Sequence, residues 1–66
     1  MKVNELLKVI HKFQNIEVYN GENLLYTGTP EKLNDENLLE RKIRGVFTLH
    51  EEVDEFDETY IIISIY

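Results

Sequence analysis

The most concentrated chemistry in the chain lies in eight residues, Glu51-Glu52-Val53-Asp54-Glu55-Phe56-Asp57-Glu58. Six of them, Glu51, Glu52, Asp54, Glu55, Asp57 and Glu58, are carboxylates, and none is basic. The other seven acids balance the seven lysines and arginines, so the formal net charge of −6 resides in this octapeptide. Carboxylates packed this densely can hold a hard cation, imitate the phosphates of a nucleic acid, or keep a small domain soluble as a solvated connection. A calcium loop needs oxygen ligands at alternating positions and a glycine at its sharp turn. Asp54 and Asp57 are three apart and no glycine occurs after Gly45, so no metal site is expected.

Phosphate mimicry asks for less. Duplex DNA carries one charge per ~1.7 Å of axis, so six carboxylates replace a short stretch of backbone. That is enough to block a groove built from Lys and Arg, with Phe56 and Tyr60 as interface aromatics. The charge balance points the same way. Nucleic acids and anionic membranes are bound through basic side chains, which makes an acidic chain a poor ligand for either and a good one for a basic protein surface.

Other chemistries lack their parts. His11 and His50 are the only imidazoles, there is no cysteine, and Ser64 belongs to an apolar strand. A catalytic histidine needs a nucleophile or acid partner and an orienting group, and no such constellation converges here. Gly21, Gly28 and Gly45 form no phosphate-binding loop. The expectation is a binding protein without cofactor, not an enzyme. Arg41, Lys42 and Arg44 form a small basic patch suited to salt bridges with the acidic segment.

The elements that must position the acidic segment can be read from hydropathy. Tyr60-Ile61-Ile62-Ile63-Ser64-Ile65-Tyr66 is a run of β-branched and aromatic residues. Ile61, Ile63 and Ile65 face one side and Tyr60, Ile62, Ser64 and Tyr66 the other, as in a central strand covered on both faces. Residues 4–13 read as an amphipathic helix bearing Leu6, Leu7, Ile10 and Phe13, with Asn4 as N-cap. Residues 16–20 and 24–28 read as a β-hairpin. A four-residue loop from Asn20 to Asn23 pairs Val18 with Leu25 and matches the apolar faces better than a two-residue loop.

Thr29-Pro30-Glu31 is a helix-start signal, and Asn34 and Asp35 can cap a second piece over residues 36–41. The pattern fits either one bent helix or two separate turns. Residues 43–50 form the third strand, with Ile43, Phe47 and Leu49 on one face. The acidic octapeptide then connects to the last strand, as an irregular loop or as a helical turn with Val53, Phe56 and Tyr60 on one side. The expected fold is α+β: a four-stranded antiparallel sheet with the N-terminal helix on one face and a short second helix, in the order α-β-β-α-β-β. Strand order is left open. The second face, with Val46, Ile62 and Tyr66, has little to cover it, as at a homodimer or partner interface.

Sixty-six residues make one small domain, residues 1–66, with a modest core. The absence of cysteine fits a reducing cytoplasm. The N-terminus has no signal-peptide apolar run, and no apolar stretch is long enough to span a bilayer as a helix.

Three stretches together carry a family resemblance: the opening Val3-Asn4-Glu5-Leu6-Leu7, the hairpin Ile16-Glu17-Val18-Tyr19 through Leu25-Tyr26-Thr27-Gly28, and the closing strand. They resemble small accessory proteins of phages and prophages of low-GC Gram-positive bacteria. Some acidic members of that group inhibit host defence nucleases, including CRISPR effectors and restriction enzymes. The resemblance implies a basic, nucleic-acid-binding site on a host protein as partner, met by Glu51, Glu52, Asp54, Glu55, Asp57 and Glu58.

Overall fold

The structure, a computed structural model, describes the whole chain except Asp54 and Glu55, and describes Val53 and Phe56 by their backbone alone. Two short helices, a 3₁₀ turn and four strands follow one another: α1 (Val3–Leu7), β1 (Asn15–Asn20), β2 (Asn23–Gly28), the 3₁₀ turn (Pro30–Lys32), α2 (Glu36–Leu39), β3 (Ile43–Val53) and β4 (Phe56–Ile65). The strands form one sheet in the order β2-β1-β4-β3.

The sheet is mixed, which corrects the expectation of a wholly antiparallel one. β1 pairs antiparallel with β2, and β3 with β4, but β1 and β4 run parallel, with Ile16 beside Ile61 and Val18 beside Ile63. The cause lies in residues 29–42. After β2 the chain crosses the sheet to the opposite edge through the 3₁₀ turn and α2. A crossover of a dozen or more residues is what a parallel relation requires. β3 therefore enters parallel to β2, and its hairpin partner β4 falls into line with β1.

The apolar run of β4 occupies the centre of the sheet, as its two-faced hydrophobicity demands. Ile63 and Ile65 are buried on the helix-facing side together with Ile16 and Val18. Val3, Leu33 and Leu38 close over them, with Leu6, Leu7, Ile10, Leu39 and Tyr26 packed around this core. The crossing segment supplies much of that cover as two pieces: Thr29 precedes the 3₁₀ turn, and Asp35 caps α2 by accepting the Asn37 and Leu38 backbone N–H groups at 3.0 and 3.3 Å.

α1 is shorter than the helix expected over residues 4–13. It ends at Leu7, and Val9 and Phe13 are turned outward, 78% and 60% exposed. Val9, Ile10 and His11 are weak helix formers. A local turn wins over them: the His11 carbonyl accepts the Gln14 N–H at 2.9 Å and the His11 ring accepts the Phe13 N–H at 3.1 Å. The turn delivers Asn15 to the start of β1. Phe13 meets the His11 ring at a tilt and lies beneath the Lys12 ammonium rather than entering the core.

The β1–β2 hairpin closes through two residues, Gly21 and Glu22, with Asn20 opposite Asn23. Gly21 sits at φ 60°, the left-handed region that tight hairpin turns require. The four-residue loop is therefore replaced. Its register survives where Tyr19 faces Leu24, but a bulge follows and Val18 pairs with Tyr26, not Leu25. The bulge brings the Tyr26 ring onto the core side, where its hydroxyl donates to the Thr29 carbonyl at 2.6 Å.

A second irregularity, between Ile43 and Gly45, changes the faces of β3. Ile43 lies opposite Ile65 on the core side, whereas Phe47 and Leu49 lie opposite Ile62 and Tyr60 on the open side. The expected grouping of Ile43 with Phe47 and Leu49 is thereby broken. Val46, opposite Ile63, moves to the helix-facing side. Gly45 leaves room for the Phe47 ring, whose edge would lie 3.3 Å from any Cβ placed there.

Candidate functional site

The acidic segment is neither an irregular loop nor a helical turn where it is described. It continues β3 and β4 as a two-stranded antiparallel ladder, with His50 opposite Thr59, Glu51 opposite Glu58, Glu52 opposite Asp57 and the Val53 backbone opposite that of Phe56. β1 stops pairing with β4 at Tyr60, so residues 50–53 and 56–59 extend past the four-stranded sheet as an arm. At its base the Gln14 side-chain amide donates to the Thr59 carbonyl at 2.5 Å, extending the line of β1 by one bond.

Strand alternation divides the described acids between two surfaces. Glu51 and Glu58 continue the open face, in line with Leu49 and Tyr60. Glu52 and Asp57 lie on the reverse, in line with His50 and Thr59. Glu51, Glu52 and Asp57 are exposed and Glu58 is half-buried. The four described members of the expected set thus form a ridge charged on both sides, not one acidic face. Asp54, Glu55 and the Phe56 side chain lie outside the described residues. Arg41 and Ile43 stand at the far end of β3 from the arm, and the Arg41 guanidinium donates to the Tyr66 carbonyl. That placement corrects the expected pairing of Arg41 and its neighbours with the acidic segment.

On the open face, the Tyr60 hydroxyl donates to Glu58 Oε2 at 2.8 Å. That bond, with the negative charge of Glu58 and more weakly of Glu51 and Glu17, raises the phenol above its ordinary value of 10. Below Tyr60 the β3–β4 side of this face is an apolar strip, flanked on β1 by Glu17 beside Ile62. Phe47 and Leu49 are 60% and 42% exposed beside half-buried Ile62, and neither helix covers them. The uncovered second face exists, but Phe47 and Leu49 supply it in place of Val46. The bulge at Ile43 decides this, and simple alternation over residues 43–50 does not reveal such a slip.

On the reverse face, His50, Glu52 and Asp57 come together. One ligand atom from each lies within 4.8 Å of the others, and all three side chains are exposed. His50 Nδ1 is 3.3 Å from Thr59 Oγ1, and Nε2 is 3.6 Å from Asp57 Oδ1. The group is not visible as a linear ligand pattern because its members come from two strands. The one local signal is His50 and Glu52 two apart in a strand.

A separate groove of about 290 Å³ lies between α1 and the crossing segment, lined by Leu7, Ile10, Pro30, Leu33 and Leu39 with the buried, unpartnered Asn4 Oδ1 in its wall. None of the described expected site residues lines it. Among the described residues, no helix is long and apolar enough to cross a membrane. No known protein family, curated protein or solved structure matches the chain.

Proposed function

We propose that the chain is a non-enzymatic binding module, encoded by a phage or mobile element, whose acidic arm occupies a basic nucleic-acid-binding site on a host protein and blocks it. A cytoplasmic defence nuclease of the CRISPR or restriction type is the partner this reading favours. The observation that carries it is the linear charge density of the arm. Two adjacent cross-strand pairs, Glu51 with Glu58 and Glu52 with Asp57, place four carboxylates in two steps of the ladder. Each step rises about 3.4 Å, which gives one charge per about 1.7 Å, the density of duplex DNA. A charged ridge two strands wide can enter a cleft and present acids to both walls. Tyr60 adds an aromatic edge at its base.

The test is capture from a Gram-positive host lysate by the wild-type chain beside a variant with Glu51→Gln, Glu52→Gln, Asp57→Gln and Glu58→Gln. The expected result is a basic nucleic-acid-binding protein held by the wild type alone and released by duplex DNA or raised salt. Equal retention by the neutralised variant would overturn the reading.

A second reading is favoured by the open face itself: a structural or assembly role through self-association, with Phe47, Leu49, Tyr60 and Ile62 as the contact. Exposed apolar patches of this kind mark interfaces. Light scattering over a wide concentration range tests it. A dimer lost on Phe47→Ser supports it, and a monomer throughout removes it.

A further inference from the structure

We propose that His50, Glu52 and Asp57 form a binding site for a divalent transition metal of the zinc type on the reverse face of the arm. The spacing of the acids excludes a calcium loop, and no metal site is expected from the sequence. The structure assembles a different donor set. One imidazole nitrogen and two carboxylates suit a borderline-soft ion rather than calcium, which takes oxygen ligands in larger number.

Three features of the ladder carry the inference. Glu52 and Asp57 are directly opposed across β3 and β4, and His50 lies on the same face two residues along. The backbone therefore holds all three on one side without help from a loop. Next, the imidazole has an orienting partner outside the donor set. Thr59 Oγ1 lies 3.3 Å from His50 Nδ1. With the ring proton on Nδ1, the imidazole donates to Thr59 and turns the Nε2 lone pair toward Asp57. Metal-bound histidines are characteristically fixed through the other nitrogen in this way.

The last feature is distance. Ligands at zinc bond lengths stand about 3.3 Å apart at the corners of a tetrahedron. His50 Nε2 and Asp57 Oδ1 are already 3.6 Å apart, and the widest separation in the set is within 4.8 Å. Rotation of the exposed Glu52 and Asp57 side chains closes the remainder. Water would complete the coordination, since the protein offers three donors. A bound dication would also relieve the repulsion between two opposed carboxylates and tie β3 to β4 beyond the sheet.

The site shares Glu52 and Asp57 with the proposed docking arm but does not rest on that reading. It is tested on the isolated chain with no partner present. The chain, stripped with chelator, is titrated with Zn²⁺ by calorimetry and by ¹H–¹⁵N NMR. The design compares two variants of equal charge, Glu52→Gln with Asp57→Asn on the reverse face and Glu51→Gln with Glu58→Gln on the open face. His50→Ala tests the nitrogen ligand, and circular dichroism confirms that each variant is folded.

The expected result is saturable binding of one Zn²⁺, with shifts centred on His50, Glu52, Asp57 and Thr59. The reverse-face variant and His50→Ala should each weaken it by at least about tenfold, whereas the open-face variant keeps it within about threefold. Equal losses in the two charge-matched variants, or wild-type affinity in His50→Ala, would show diffuse counter-ion attraction and overturn the site. Lack of any saturable Zn²⁺ binding would overturn it as well. In every case the capture experiment, run with chelator, reports on the docking arm separately.

Discussion

β4 is one strand in two environments. Residues 60–64 are paired on both sides, by β1 and β3, and carry Ile63 with no exposed surface. Residues 56–59 have β3 as their strand partner and carry acids on both faces. The inner half lowers its free energy by removing apolar surface from water; in the outer half Asp57 and Thr59 are exposed, and like charges stand opposite one another. Stability and candidate function are thus placed end to end on a single backbone. The sheet holds the arm in register at its root, and the arm keeps its charge because little of it is asked to pack.

The sharpest way to break that division is to remove the inner half's anchor. Ile63→Ala empties a fully buried site between β1 and β3. It should cost about 2–5 kcal/mol in urea unfolding, enough to threaten a domain of this size. The four-fold Gln variant of the arm should leave the unfolding midpoint unchanged or higher. If instead the arm variant unfolds the chain and Ile63→Ala does not, the division is wrong.

A smaller loss is expected where the crossing segment is fixed. Asp35 satisfies two N–H groups at the start of α2, which places Leu38 over Ile63 and Ile65. Asp35→Ala should cost about 1 kcal/mol, measured in the same urea series. Asp35→Asn should recover most of it, because the amide oxygen can accept the same bonds.

These two sites also show how far the sequence could be read. The alternation in Ile61, Ile63 and Ile65 was legible, as were the Asp35 cap and the four strands, because each is a local pattern with a local cause. The parallel seam was not legible from any one strand. Its trace was the crossing segment, whose Leu33, Leu38 and Leu39 need a sheet to cover and therefore carry the chain across it. The face of Phe47 was lost to a bulge at Ile43, a one-residue slip that periodicity averages away, and the second half of the expected helix was lost to a turn at His11 whose hydrogen bonds hydropathy does not show. The acidic residues were visible as a cluster, but their split into two faces required the ladder register. His50 became interesting only when Asp57 came back across from β4.

The arm itself can be probed by changing a sign. Glu52 stands opposite Asp57, and like charges so placed in an antiparallel pair are destabilising. Glu52→Lys replaces repulsion with attraction and should raise stability by about 0.2–1 kcal/mol at low salt. Added salt should then stabilise the wild type more than the variant, since it screens a repulsion that the variant has lost. A midpoint that ignores both charge and salt would mean that the two carboxylates do not meet across the ladder.

The finest expected effect is a titration at the junction of the two halves. Tyr60 donates to Glu58, and this bond with the surrounding acids lifts the phenol above its ordinary value of 10. The folded state therefore holds the proton more tightly than the unfolded chain does. The resulting stabilisation is fully present below the unfolded value and is lost as pH rises through the higher folded one. In an ultraviolet titration of phenolate, with Tyr60→Phe used to identify its share of the signal, Tyr60 should ionise later than a free tyrosine. Glu58→Gln removes the charged acceptor and should bring the midpoint back down. Were the midpoint to stay in place in Glu58→Gln, Tyr60 and Glu58 would not meet on the open face of β4 at the root of the arm. The claim that the sheet aligns the arm's open face would fall with it.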